Sequence, residues 1–246
     1  MAKSSSHKRE ILSLLLAQHG SEQRVWSGLS EEQQRAVGQV ENWSAKDHIA
    51  HVSYWRDVYT QRLRAAVSGG AVPPPDPDYL QTNDAVYKEH RHDSWDAIMN
   101  WARQSQDELI QAVEAIDEHS LSDSLRFEFT NERPLWQHIA FGEGYHPYAH
   151  LCDILLMTSD FEEAEEVQLD LFEALNALDE SPEWQGNQRY NLACFYAQHD
   201  HAERAIELLE ESFGMNPGLL DWSKQDSDLD ALRDLSAFQA LYPQET

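Results

Sequence analysis

Twelve histidines in 246 residues raise the question of whether any three converge on one point. His146 and His150 stand four apart, so on a helix both imidazoles share a face and can ligate one ion. A third ligand must come from another helix, where His48 and His51 are the candidates, close to the face of Val52, Trp55 and Tyr59. Three imidazoles with one position open is how zinc or nickel sites keep room for water or a substrate. Glu143 lies one turn before His146 and is the candidate general base toward water at such an ion. Pro147 cannot return a hydrogen bond to the Glu143 carbonyl, and with Gly142 and Gly144 nearby a local kink is expected. The competing readings are structural: satisfied core or rim histidines, and an exposed acid in an acidic chain.

Other chemistry-bearing residues point more toward packing. Trp43, Trp55, Trp95, Trp101 and Trp136 could line a pocket, but aromatics at helical spacing usually fill a core. Cys152 falls two residues past His150, on a different face, and reads as a buried thiol. With Cys194 it makes neither a disulfide framework nor a thiolate metal motif. His199 and His201 point apart on any helix, and Asp200 between them reads as a turn. The chain has no phosphate-binding glycine loop, no GxSxG and no kinase-type motif.

The elements that must position these groups are helices. Apolar residues recur three and four apart in nearly every long segment, while glycines and prolines are few and clustered. A first helix is expected from about His7 to Leu29. A second opens after Ser44, with Asp47 as a capping-box acid, and stops at Gly69-Gly70. Pro73 to Pro77 form a stiff extended connector. A third helical region spans about Thr82 to Ile116, with a break and recap at Asp93-Ser94. A fourth begins near Pro134 and reaches about Met157. Leu125 to Phe129 alternate like a strand but read better as an extended loop. Four long antiparallel helices predict an all-α bundle.

Charge is unevenly distributed along the chain. The whole carries −26, with a pI near 4.6, yet residues 160–246 hold 21 acids against four bases, a net −17. Residues 1–159 hold 23 against 14, a net −9. The shift at Thr158-Ser159-Asp160 predicts a boundary, giving a bundle over 1–159 and a second helical segment over 160–246. So few Lys and Arg argue against a nucleic-acid partner and against anionic membranes. Hydrophobic residues at 41% and eight tryptophans argue against an unfolded acidic chain. No apolar run reaches the ~20 residues a bilayer requires, and no secretory leader is apparent, so a cytoplasmic globular protein is expected.

The stretch Glu41-Asn42-Trp43-Ser44-Ala45-Lys46-Asp47-His48-Ile49-Ala50-His51-Val52, followed by Trp55, resembles the second-helix signature of the DinB superfamily. It is most similar to the colibactin-resistance (ClbS/DfsB-like) branch, whose version reads W-S-x-K-D-x-x-A-H-L-x-x-W. The loop of Pro73 to Pro77, then Asn83, Leu135-Trp136 and His146 follow in the same order, so the likeness covers roughly residues 5–157. Where DinB members usually carry a polar, histidine-rich run, this chain has Phe141-Gly142-Glu143-Gly144-Tyr145. The resemblance implies a four-helix bundle, with a divalent ion on one His of the second helix and two of the fourth. Those ligands carry over to His51, His146 and His150.

Within the acidic segment, Leu192, Ala193, Tyr196, Ala205, Leu209 and Pro217 resemble the consensus of one tetratricopeptide repeat. Arg189 stands where a Trp is usual. The two alanines let antiparallel helices approach, and the larger residues fill the seam. Because one repeat cannot bury its own faces, Phe161 to Leu178 and Leu229 to Leu241 are expected to flank and cap it.

Two functions follow as expectations. One is a metal-dependent hydrolase or thiol transferase of detoxification type, acting on a small molecule at His51, His146 and His150. The other is an interaction scaffold whose acidic repeat binds a basic peptide or pairs two chains as a homodimer.

Overall fold

The computed structural model describes residues 6–158 and 161–242. The protein is all-α: no strand occurs among the described residues, and the one β-bridge, Gln39 with Asn42, is isolated. Chain contacts divide it into two compact units, Met1–Val167 and Gln168–Thr246. The compositional boundary at Ser159 and Asp160 lies outside the described residues.

The first unit contains α1 (His7–Gly28), the short α2 (Glu31–Arg35), α3 (Ala45–Val67), α4 (Tyr79–His90), α5 (Trp95–Glu114) and the short α6 (Glu118–Ser122). After a loop come α7 (Leu135–Ile139), a π-helical turn over Ala140–Tyr145, and α8 (His146–Thr158). Helix α1 packs on α5 and α8, and α3 packs on the same two, so the four long helices close a ring. Its interior holds Ile11 and Leu15 of α1, Ile49 and Leu63 of α3, Ile98 and Leu109 of α5, and Leu151 and Ile154 of α8.

Local chemistry sets the ends of α3, the helix that carries two histidines. Ser44 accepts from the Asp47 amide, and the Asp47 carboxylate accepts from the Ser44 amide at 2.9 Å and from Gly38 N–H at 3.1 Å. A Cβ at Gly38 would stand 2.4 Å from both Asp47 Oδ2 and the Ser44 nitrogen, so only glycine fits there. The expected third region is two helices, with Ser94 capping the second of them. Leu125 to Phe129 form no strand; a 3₁₀ turn begins at Glu128.

The expected fourth helix is interrupted. The His146 amide donates to the Phe141 carbonyl, five residues back, which is the π-type bond. The irregularity therefore precedes Pro147, whose missing N–H leaves no α-type bond to Glu143. At Gly144 an added Cβ would meet Leu14 Cδ2 at 2.9 Å, so this turn lies directly against α1.

Helix α9 (Phe161–Asn176) contains the division between the units. The second unit continues with α10 (Pro182–Gln198), α11 (Ala202–Met215), α12 (Leu219–Ser223), a 3₁₀ segment (Ser227–Leu232) and α13 (Ser236–Gln239). Helices α10 and α11 form a tight pair in which Leu192, Ala193, Tyr196, Ala205 and Leu209 are all buried. Asp200, at φ 65°, makes the turn between them. Trp184 Nε1 donates to the Leu175 carbonyl, and the 3₁₀ segment packs on α10.

Candidate metal centre

Ser44 starts α3 so that His48 and His51 occupy its first two turns, while the π-turn sets the register at which His146 and His150 leave α8. The two helices pack together, and the four imidazoles meet in two pairs. His51 Nε2 lies 3.1 Å from His146 Nε2, and His48 Nδ1 lies 3.0 Å from His150 Nδ1. Trp43 covers them, with ring centroids 4.9 Å from His51 and 5.3 Å from His48. One ligand atom from each of His51, His146 and His150 falls within 4.8 Å of the other two. The structure thus brings together the three histidines expected to ligate an ion, and adds His48 beside them.

Electrostatics hold these rings ready as ligands, because a metal needs the neutral imidazole. Burial, then the neighbouring His150, His146 and His48, lowers the His51 pKa to about 2. Burial, His150 and Arg56 lower that of His146 to about 3. For His48 burial and His150 outweigh the opposing Asp153 and Asp47, and the value falls to about 4. His51 Nδ1 is buried and makes no hydrogen bond. An unsatisfied nitrogen on a ring clustered with two further imidazoles is a donor set that fits a divalent ion of the zinc or nickel class.

His51 and His146 open onto a cavity of about 440 Å³, within the usual range for small-molecule sites. Trp55, Tyr59 and Gly142 line it, with Pro74, Asp76, Tyr79 and Asn83 across from them. Trp55 Nε1 donates to Asn83 Oδ1 at 2.8 Å, which ties α3 to α4 at the rim.

Glu143 also lines this cavity, and it is not the exposed acid of the competing reading: 3% of its surface is accessible. Its Oε2 lies 3.8 Å from Arg56 Nε, and Arg56 Nη2 donates to Glu22 Oε1 at 2.7 Å. Burial raises the Glu143 pKa to about 8; Arg56 opposes this, and Glu22 and Asp57 reinforce it. Burial also disfavours ionised Glu22, but Arg56 and His19 outweigh it and hold that carboxyl below its usual range. One buried cation therefore faces one ionised and one protonated carboxyl at neutral pH. Sequence reasoning missed Arg56 and Glu22, although a signal existed. Ile49, Val52, Arg56, Tyr59 and Leu63 step three and four apart, which puts Arg56 on an apolar stripe. Gln18 and Glu22 interrupt the stripe of Ile11, Leu15 and Val25 in the same way.

The remaining candidates serve the fold. Cys152 is buried with its thiol toward the Ala164 carbonyl, and burial pushes its pKa up to about 12. Trp136 stacks on His7, and Trp101 donates to Asp57. Cys194 comes near Asp226 and Asp228, but burial raises its thiol pKa, and Asp226 already accepts from Tyr190 and Trp222. No helix among the described residues is long and apolar enough to cross a membrane.

Comparison with known proteins gives one match. No curated protein and no solved structure matches the chain. Residues 16–151, more than half its length, match the family model of the DinB superfamily, a span that holds His51, Arg56, Glu143, His146 and His150. With that match and the closed ring of helices around the histidines, the chain belongs to the DinB superfamily.

Proposed function

We propose that the first unit binds a divalent ion, zinc or nickel, through His51, His146 and His150, and transforms a small molecule held in the adjoining cavity. The observation that carries this reading is the convergence of His51, His146 and His150 on one point, with His51 and His146 lining that cavity. An ion held there supplies Lewis acidity at its open position. The residues around it supply the rest. Trp55 and Tyr59 offer apolar faces to an aromatic or aliphatic substrate. Glu143, with a pKa near neutrality, can hold a proton at Oε and release it to the cavity, the property required of a general acid or base. Arg56 keeps that carboxyl in place, and Trp43 shields the histidines from bulk water.

The reaction class that fits is hydrolysis, or transfer of a thiol, on an electrophilic small molecule. The Trp43-to-Trp55 motif favours kinship with the colibactin-resistance branch, which points to detoxification. The test is equilibrium dialysis of chelator-treated protein against zinc and nickel, with metal analysis. Substituting His51→Ala or His146→Ala should remove one equivalent each time while the helical circular dichroism stays intact. Less than about a tenth of an equivalent bound by the unmodified protein overturns the reading.

A second reading rests on the α10–α11 pair, where Ala193 and Ala205 are fully buried and Ser212 Oγ donates to the Gly186 carbonyl. Such close approach supports a tetratricopeptide-like hairpin, and its acidic exterior suits a basic peptide. Reversing the exposed Glu203, Glu207 and Glu210 to Lys should then abolish salt-sensitive binding of a lysine-rich peptide, leaving metal binding unchanged. Light scattering of the full chain tests the homodimer alternative.

A further inference from the structure

The imidazole of His150 is shared between two clusters. Its Nδ1 lies 3.2 Å from Asp153 Oδ2 as well as 3.0 Å from His48 Nδ1, and His48 Nδ1 lies 3.7 Å from the same carboxylate oxygen. Three donor atoms at these separations approximate one face of a coordination tetrahedron, whose edge is about 3.4 Å for ligands about 2.1 Å from the centre. Two imidazoles and a carboxylate are also a donor set that first-row divalent ions favour.

Access supports a site separate from the first. His48 and Asp153 line a groove of about 440 Å³ with Glu41, Trp43, Leu156 and Met157, and this groove shares no lining residue with the cavity of His51 and His146. The Asp153 side chain is half exposed, so an ion can arrive from solvent without passing the first triad. We infer that His48, His150 and Asp153 form a second divalent-cation site, which the superfamily ligands do not include and which takes a zinc-class ion.

The second site takes Nδ1 of His150, so an ion on the first triad would need that ring's Nε2. A neutral imidazole carries one N–H; when both nitrogens coordinate, that proton leaves to solvent. The inference shares only His150 with the proposed triad, and the two can fail separately.

Cobalt(II) titration of the chelator-treated full chain, read by its visible absorption and by metal analysis, provides the test. Wild type should bind two equivalents. H51A/H146A should keep one, and adding His48→Ala and Asp153→Asn should remove it. H48A/D153N alone should leave one, on the first triad. A folded H51A/H146A protein that binds less than about a tenth of an equivalent overturns the second site. So does an H48A/D153N protein with the wild-type stoichiometry. If H51A/H146A binds one equivalent and H48A/D153N binds none, the second site stands and the first reading falls. Should the H51A/H146A variant not fold, H51N/H146Q carries the same test with polar replacements of similar shape.

Discussion

Among the described residues of the first unit, Glu22, Lys46, Asp47, His48, His51, Arg56 and Glu143 are buried. Among the described residues of the second unit no Asp, Glu, Lys, Arg or His is buried, and the buried amide and hydroxyl side chains include Gln168, Gln188, Ser212 and Ser223. Yet the net charge runs the other way, with −17 on residues 160–246 and −9 on the longer remainder. The second unit keeps its charge in water and fills its interior with Leu, Ala and aromatic rings. The first has fewer net charges but places several inside, where each costs solvation that pairing only partly restores. A buried Arg between two carboxyls, next to four buried or half-buried imidazoles, is a poor way to gain stability. It is a good way to hold groups with shifted proton affinity beside a cavity.

Substitutions can break that contrast or sharpen it. The largest effect is expected at Arg56. Arg56→Ala leaves Glu22 as an uncompensated buried charge and should cost about 3–5 kcal/mol in chemical denaturation. A loss below about 1 kcal/mol would mean that water already reaches the network, and the contrast between the interiors would collapse. In the second unit a comparable loss needs a cavity instead. Leu209→Ala, at a fully buried position, should cost about 2–4 kcal/mol with no dependence on pH between 5 and 8. Metal should act on the first unit through its histidines. Zinc at about 100 times its dissociation constant should stabilise the protein by about 2.7 kcal/mol, and His146→Ala should remove that part of the gain.

Glu143 gives a smaller effect with a definite sign. Its folded pKa, about 8, lies above the ordinary 4.5, so the folded state binds the extra proton. The stability tied to that proton is fully present below about pH 4.5 and is lost as pH rises toward 8. Glu143→Gln, which stays neutral, should therefore raise the melting temperature of chelator-treated protein at pH 8 by several degrees more than at pH 5. An equal change at both values would show that Glu143 is ionised throughout. The smallest effect belongs to the exterior of the second unit. Glu211→Gln breaks an ion pair with Arg189 in which the carboxylate is more than half exposed, and should change stability by less than about 1 kcal/mol.

Much of this architecture was legible because its causes are local. Ser44 and Asp47 announced the start of α3, the apolar spacing announced the long helices, and Asp200 marked the turn after α10. The break at Asp93-Ser94 was visible as a capping residue. Less legible was the π-turn: Gly142, Gly144 and Pro147 pointed to an irregularity, but its position depends on α1 lying against Gly144. Glu143 was visible as a candidate base and equally as a surface acid. Only the approach of Arg56 and the closure of the bundle decide between those environments.

By itself the sequence determined the helices, their caps, the acidic second segment, and the i,i+4 spacing that puts His146 and His150 on one face. These follow from hydrogen bonds and side-chain periods within a few residues. Tertiary structure alone decided which imidazole faces which, that His48 and Asp153 share His150, and that Glu143 keeps its proton near neutral pH. Those outcomes depend on the distance between helices far apart in the chain and on how much water they exclude. No local pattern encodes either quantity.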